Sequence, residues 1–435
     1  MSLHIGKKMR PDDWMNINST PSIQKDKAAL QEGSPLCQNI GEHEFNSFFL
    51  SRLRFCDAQK LAGTCKLFYQ RVADHVFRRI NLSMFFHSIS LDVSLKSPNI
   101  NPFAKFAKVG FVVYADQINS QFYQLMTSEA KLKIQSVMVD QRPNKPFEDK
   151  TVFFSILKEM PRLKELSYAY HEDINYQDLS EVPKSIEILN LRSTTISSLS
   201  KLSHLEHLKE LDLHSCISYK NEDLASLPGS IEILSIASTM IADLSKLSHL
   251  KRLQKLDLTK CWRITENQLT HLPNSLKTLI LCGTKCTAFA MLSHLIYLEE
   301  LILAGLPNVT NQSLTTLPKT LKKLDVSSTK TSDFSNLSHL TNLEELILAH
   351  CKQLSNESLA TLPITTKKLD ISFTDVSDLS HLSRLKFLEE IRICGCSQIP
   401  AEQLAKLPDH VRVQTHAAAE LGLLFDHVRV RTPYF

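Results

Sequence analysis

Leu208-Lys-Glu-Leu-Asp-Leu-His-Ser-Cys216 returns 45 residues later as Leu253-Gln-Lys-Leu-Asp-Leu-Thr-Lys-Cys261, and between them stands a variant, Ile231-Glu-Ile-Leu-Ser-Ile-Ala-Ser-Thr239. The heart of the motif is two apolar residues flanking a variable one. Such pairs run from Leu189/Leu191 through Leu211/Leu213, Leu234/Ile236 and Leu256/Leu258 to Ile391/Ile393, in steps that alternate 22 and 23 residues. With a weaker copy at Leu166/Tyr168, the array has eleven units.

A unit of this length cannot bury an apolar face alone, so successive units must stack and share one core, which is the logic of a solenoid. Alternation about the leucines gives a short strand whose leucines point inward and whose intervening residues face a concave parallel sheet. The pattern Leu-x-x-Leu-x-Leu-x-x-Thr/Cys resembles the leucine-rich repeat, and the units ending in Cys216, Cys261, Cys351 and Cys396 resemble its cysteine-containing subclass. That subclass is found mostly behind F-boxes. The resemblance implies an α/β fold with short helices on the convex side. Asn221 to Leu224, Asn356 to Leu359 and the Asp-Leu-Ser segments at Asp243, Asp333 and Asp378 are expected to start those helices, with polar residues capping the first turn.

Residues 161–408 hold the regular repeats, and a half-repeat with a closing helix is expected over 409–435. Ahead of them, 83–160 reads as a connector with degenerate repeats, Phe111-Val-Val113 and Val137-Met-Val139 being strand-like. Residues 1–39 are polar and expected to form a flexible tail. Between tail and connector, residues 40–82 pack short helical patterns. Phe45, Phe49, Leu50 and Leu53 share one face, and Leu61, Cys65 and Phe68 share another, with Asp57 placed as a cap. This segment resembles an F-box through Leu53, Asp57, Leu61, Thr64-Cys65-Lys66, Phe68 and the exit Arg78 to Leu82, while Ile40-Gly41-Glu42 stands where the family opens with Leu-Pro. The resemblance implies a small all-α domain whose apolar face docks a Skp-type adaptor and, through it, a cullin ligase. The competing expectation is a helical cap over the open end of the solenoid.

Composition narrows the classes further. The net charge of +4 over 435 residues comes without a Lys/Arg block, so nucleic acid is not the expected partner. No apolar run approaches the length of a membrane span, Met1 to Ser22 lack a secretory core, and the cysteines at one repeat position read as buried thiols of a reducing cytoplasm.

Catalytic signatures such as Gly-x-Ser-x-Gly or His-Glu-x-x-His do not occur. The catalytic cysteine domain that some bacterial repeat proteins carry is not expected, because no cysteine follows Cys396. Neither enzyme activity nor a cofactor is expected. His204, His249, His294 and His339 recur every 45 residues. Units two apart are separated by roughly 10 Å at the strands, too far to share a zinc ion with ligands at about 2 Å, so the row reads as structural. Cys282/Cys286 and Cys394/Cys396 lack a second pair at zinc-site spacing and read as inert thiols.

Outward positions are where a partner would bind. The residue between the two leucines includes Asp257, Ile280, Ile302, Asp325, Ile347 and Asp370, so isoleucines stand where solvent is expected and aspartates rim them. Trp262, in the loop after a strand, is a second anchor. The preceding column, Glu300, Lys323, Glu345, Lys368 and Glu390, reads as a cross-strand charge ladder that stabilises the sheet. The expected function is the substrate-recognition subunit of a Skp-cullin-F-box ubiquitin ligase in the cytoplasm, or in a host cytosol for a bacterial effector, holding an unknown protein. The alternative is a non-catalytic repeat scaffold.

Overall fold

The computed structural model describes residues 109–114, 131–132, 134–140, 150–172 and 174–415. The chain divides into two compact units, Met1–Met138 and Val139–Phe435. The F-box-like segment with Phe45, Phe49, Leu50, Leu53, Leu61, Cys65 and Phe68, the tail 1–39 and the expected closing helix lie outside the described residues. Strands β1 (Val109–Tyr114) and β2 (Ile134–Asp140) fall on the strand-like segments of the connector.

From Glu165–Ser167 to Arg412–Gln414 the second unit lays down twelve three-residue strands, all parallel and hydrogen-bonded in chain order. This is a leucine-rich-repeat solenoid. Leucine lies over leucine in register, as in Leu189 against Leu211 and Leu211 against Leu234. Those leucines and their partners two residues on are completely buried or nearly so from Leu189 to Ile391. The half-repeat after Pro408 adds a strand, Arg412–Gln414, that pairs with Glu390–Arg392. At the other end, helix α1 (Lys150–Leu157) buries Phe153 and Phe154 against Tyr168 of the first regular coil, with ring centroids 6.1 and 5.4 Å away.

Each strand stops after three residues because the chain then turns through the left-handed region. That position is Tyr170, Ser193, Ser215, Ser238, Lys260, Gly283, Gly305, Ser328, His350, Phe373 and Gly395 in the eleven successive units. A non-glycine residue there costs about 1–2 kcal/mol. The turn aims its N–H at the next coil: Ser193 donates to the His214 carbonyl at 2.7 Å and Phe373 to that of Cys394 at 2.7 Å.

Behind the turn runs an alternating ladder of hydroxyl and thiol. Thr194 Oγ1 and Cys216 Sγ both donate to the Leu191 carbonyl, at 2.8 and 3.0 Å, and Thr239 with Cys261 repeats this on Ile236. Leu306 takes the cysteine position in the middle unit. Burial pushes the Cys216, Cys261 and Cys351 thiols up, and Cys286 up to about 11, so these sulfurs are packing groups and donors rather than nucleophiles. Cys282 and Cys394, read as outward thiols, are half-buried, and Cys394 Sγ donates to the Gln414 carbonyl at 3.8 Å.

The convex side departs from expectation in kind. Its segments are mainly 3₁₀ turns of three to six residues, because the connection between ladder and next strand is too short for a regular helix. Nor do Asn221 and Asn356 cap their own turns: their side-chain oxygens accept from Ala242 and Ser377 N–H of the next coil, at 2.9 and 3.0 Å. The asparagines therefore tie neighbouring coils together. No helix among the described residues is long and apolar enough to cross a membrane.

Candidate functional site

The outward face of the sheet is built from two columns of side chains, and the structure treats them differently in its two halves. In the second half the column before the first leucine alternates in charge and forms ion pairs around Lys323 and Glu390. Lys323 sits in register between Glu300 and Glu345, its ammonium 3.1 and 3.4 Å from their carboxylates. Glu390 is buried under Arg392 and Arg412, at 3.2 and 3.8 Å. A second ladder, one residue earlier, was not legible as a pattern from the leucines alone. Lys322 meets Glu299 at 2.9 Å, Lys367 meets Glu344 at 3.1 Å, and Glu187 is held between Lys164 and Lys209. Its sequence signal is a second column of alternating sign.

In the first half the same column puts isoleucine where the second half puts lysine. Ile188 lies between Glu165 and Glu210, and Ile233 between Glu210 and Lys255; they are 36% and 37% exposed. Sequence reasoning placed the apolar patch one column over. Ile280 and Ile302 are register partners and Ile347 lies between Asp325 and Asp370, but all three are half-buried rather than open to solvent. The physical reason is the company they keep across the strands: Ile280 and Ile302 stand side by side in register, and long charged side chains surround Ile347. Ile347 forms the floor of a shallow dimple walled by Glu345, Lys368, Glu390 and Arg392.

The aspartates of the middle column are engaged locally. Asp257, Asp325 and Asp370 are half-buried, and each accepts the N–H two residues on, from Thr259, Ser327 and Ser372 at 2.8, 2.8 and 2.9 Å. They hold the chain as it leaves the strand.

Trp262 is 49% exposed, with the Arg263 guanidinium 5.8 Å and the Lys285 ammonium 5.4 Å from its ring. It does not stand alone. The residue after the Thr/Cys ladder is Ile217, Met240 and Trp262 in three consecutive coils, exposed by 62%, 41% and 49%. The same position then becomes Lys285, Pro307, Lys330 and Lys352. Ile217 was readable as Trp262's sibling in the cysteine units, but Met240 escaped sequence reasoning because it sits in a unit of the other flavour, which aligns only once the 22/23 alternation is superposed in space.

The histidine row clips coil to coil. Nε2 of His204, His249, His294 and His339 lies 2.8–3.0 Å from the carbonyls of Val182, Leu227, Leu272 and Leu317 in the preceding coil. Each Nδ1 also faces a carbonyl three residues back, at 2.5–2.8 Å. In the fifth unit Arg384 takes the histidine's place and donates to Leu362 at 3.1 Å. Both ring nitrogens are thus committed to backbone oxygens.

No family model matches the chain, and no curated protein does. Among solved structures it is similar to an internalin (inlF) from Listeria monocytogenes, at 21% identity over 66% of this chain and 86% of that one, with a TM-score of 0.48. It is similar also to a leucine-rich-repeat protein of Leptospira interrogans, at 17% identity over 77% and 98%, TM-score 0.44. A third is the TLR13 chain of a TLR13–ssRNA13 complex, at 17% identity over 67% and 52%, TM-score 0.47.

Proposed function

We propose that the solenoid is a non-catalytic protein-binding module serving as the substrate-recognition subunit of a Skp-cullin-F-box ubiquitin ligase. The observation that carries the binding reading is the difference between the halves. In the column before the first leucine, Lys323 pairs with Glu300 and Glu345 and Glu390 pairs with Arg392 and Arg412, whereas Ile188, Ile217, Ile233, Met240 and Trp262 expose apolar surface on neighbouring coils. Apolar surface of this kind, rimmed by charge, is stabilised by a partner that removes it from water.

The ligase half of the proposal rests on the F-box resemblance of residues 40–82. There Phe45, Phe49, Leu50, Leu53, Leu61, Cys65 and Phe68 dock a Skp-type adaptor, and the associated cullin subunits transfer ubiquitin to the captured protein. The setting is the cytoplasm, or a host cytosol for a bacterial effector. The test is a pull-down of the full chain with purified adaptor. Retention is expected; a folded chain that fails to retain adaptor removes the ligase assignment and leaves a protein-binding scaffold. Proximity labelling in cells tests the substrate half. Serine at Ile188, Ile233, Ile280, Ile302 and Ile347 is expected to deplete specific neighbours, and an unchanged neighbour list removes the concave face as the binding surface.

A further inference from the structure

Ile217, Met240 and Trp262 occupy one position in three adjacent coils, on the edge that follows the strands rather than on the concave face. The columns beside them are small or cationic. Toward the concave side stand Ser215, Ser238, Lys260, Gly283, Gly305 and Ser328; beyond stand Ser218 and Arg263. From Thr195 to Lys352 no carboxylate occurs in these columns. Among the described residues Lys260, Arg263, Lys285 and Lys330 form no ion pair with a carboxylate, and only Lys352 meets one, Asp375 at 3.6 Å. An apolar triad therefore runs directly into a line of cations, Lys285, Lys330 and Lys352, of which, among the described residues, only the last meets a carboxylate.

From this juxtaposition we infer that the edge is the docking site for an extended polypeptide segment in which apolar residues are followed by acidic ones. The inference rests on reading the solenoid as a protein-binding module and names the chemistry of the segment it takes. Coils stack at about 4.8 Å, so the six steps from Ile217 to Lys352 span roughly 29 Å, the length of about nine residues of extended chain at ~3.3 Å each. The apolar half of the segment covers Ile217, Met240 and Trp262, displacing Lys285 and Arg263 from the indole, and its carboxylates meet Lys285, Lys330 and Lys352. A single-stranded nucleic acid fits less well. Ile217 and Met240 offer no face for a base to stack on.

The chain has two tryptophans, Trp14 and Trp262, so the full-length Trp14→Phe protein reports on Trp262 alone. The probes are a synthetic peptide of about nine residues with apolar residues at alternate positions and then glutamates, the same peptide with lysines for glutamates, and oligouridylate. The acidic peptide is expected to shift Trp262 emission to shorter wavelength in a saturable, salt-weakened manner, and the basic peptide to leave it unchanged. Lys285→Glu with Lys330→Glu is expected to weaken the acidic peptide on the order of tenfold, without changing the melting temperature. Three results overturn the inference: no shift with the acidic peptide, a shift with oligouridylate alone, or an emission already that of a buried indole in the free chain, which makes the occupant part of this chain. If the peptide fails while serine substitutions on the concave isoleucines still deplete a cellular partner, the edge is wrong and the protein-binding reading stands. If both fail, the reading falls with it.

Discussion

Lys323 and Ile188 hold the same place in two distant coils of one pattern, each between two glutamates on adjacent strands, and they do opposite things there. Lys323 neutralises Glu300 and Glu345. Ile188, between Glu165 and Glu210, neutralises neither and stays 36% exposed. In this column the second half sets charge against charge, while the first half sets exposed isoleucine between charges. The backbone is the same in both. What differs is whether the residues of this column are partners of one another.

The largest expected effect is one that must not distinguish the halves. Leu256→Ala and Leu346→Ala each empty a fully buried site and are expected to cost about 2–5 kcal/mol in urea unfolding. A large asymmetry would show that the halves differ in core as well as surface. Next is Gly395→Ala, expected to cost about 1–3 kcal/mol. Its φ is +68° and a methyl there would lie 2.4 Å from Phe373 Cδ1, whereas Gly305→Ala meets nothing within 4 Å and pays only the backbone strain. Thermal melts of the pair separate strain from collision.

Smaller, and aimed at the comparison itself, is Ile188→Lys. It rebuilds the second half's ladder in the first, and by analogy with Lys323 is expected to stabilise by about 0.2–1 kcal/mol while weakening capture of a partner. Lys323→Met is the reverse experiment and is expected to lose a similar amount, with less dependence on salt. Smallest is an acid response. Hydrogen bonds from Lys164 and then Lys209 lower the Glu187 carboxyl to about 2. A group lowered in the folded state contributes fully above its unfolded value, about 4.3, and loses the contribution as pH falls toward 2. Glu187 is expected to account for less than about 1 kcal/mol of that loss, because the pair is open to solvent. Glu187→Gln should flatten the stability profile between those limits, lowering stability at neutral pH by less than about 1 kcal/mol and leaving it unchanged near pH 2.

The alternation of 22 and 23 residues contains the solenoid. Leucine spacing dictates parallel strands in register, and the coincidence of Cys216 with Cys261 and Cys351 dictates a buried ladder, because each coil can only repeat the burial of its neighbour. The Glu300 to Glu390 column was equally readable as a ladder. Two things were not. Asn221 and Asn356 have the composition of local caps, and only their position above the next coil shows that they serve that coil instead. Ile280, Ile302 and Ile347 look exposed by parity, yet solvent access depends on which side chains stand beside them on adjacent strands. That is a property of the stacked coils, not of alternation.

By itself, then, the chain's periodicity determined which side chains face the core and which face out, since strand parity and unit length admit no other arrangement. Tertiary structure alone decided which outward groups remain free. Neutralisation of Glu300 by Lys323 and the alignment of Ile217, Met240 and Trp262 along one edge both depend on distances between coils. Residues 22 or 23 apart in sequence become neighbours only when the coils stack.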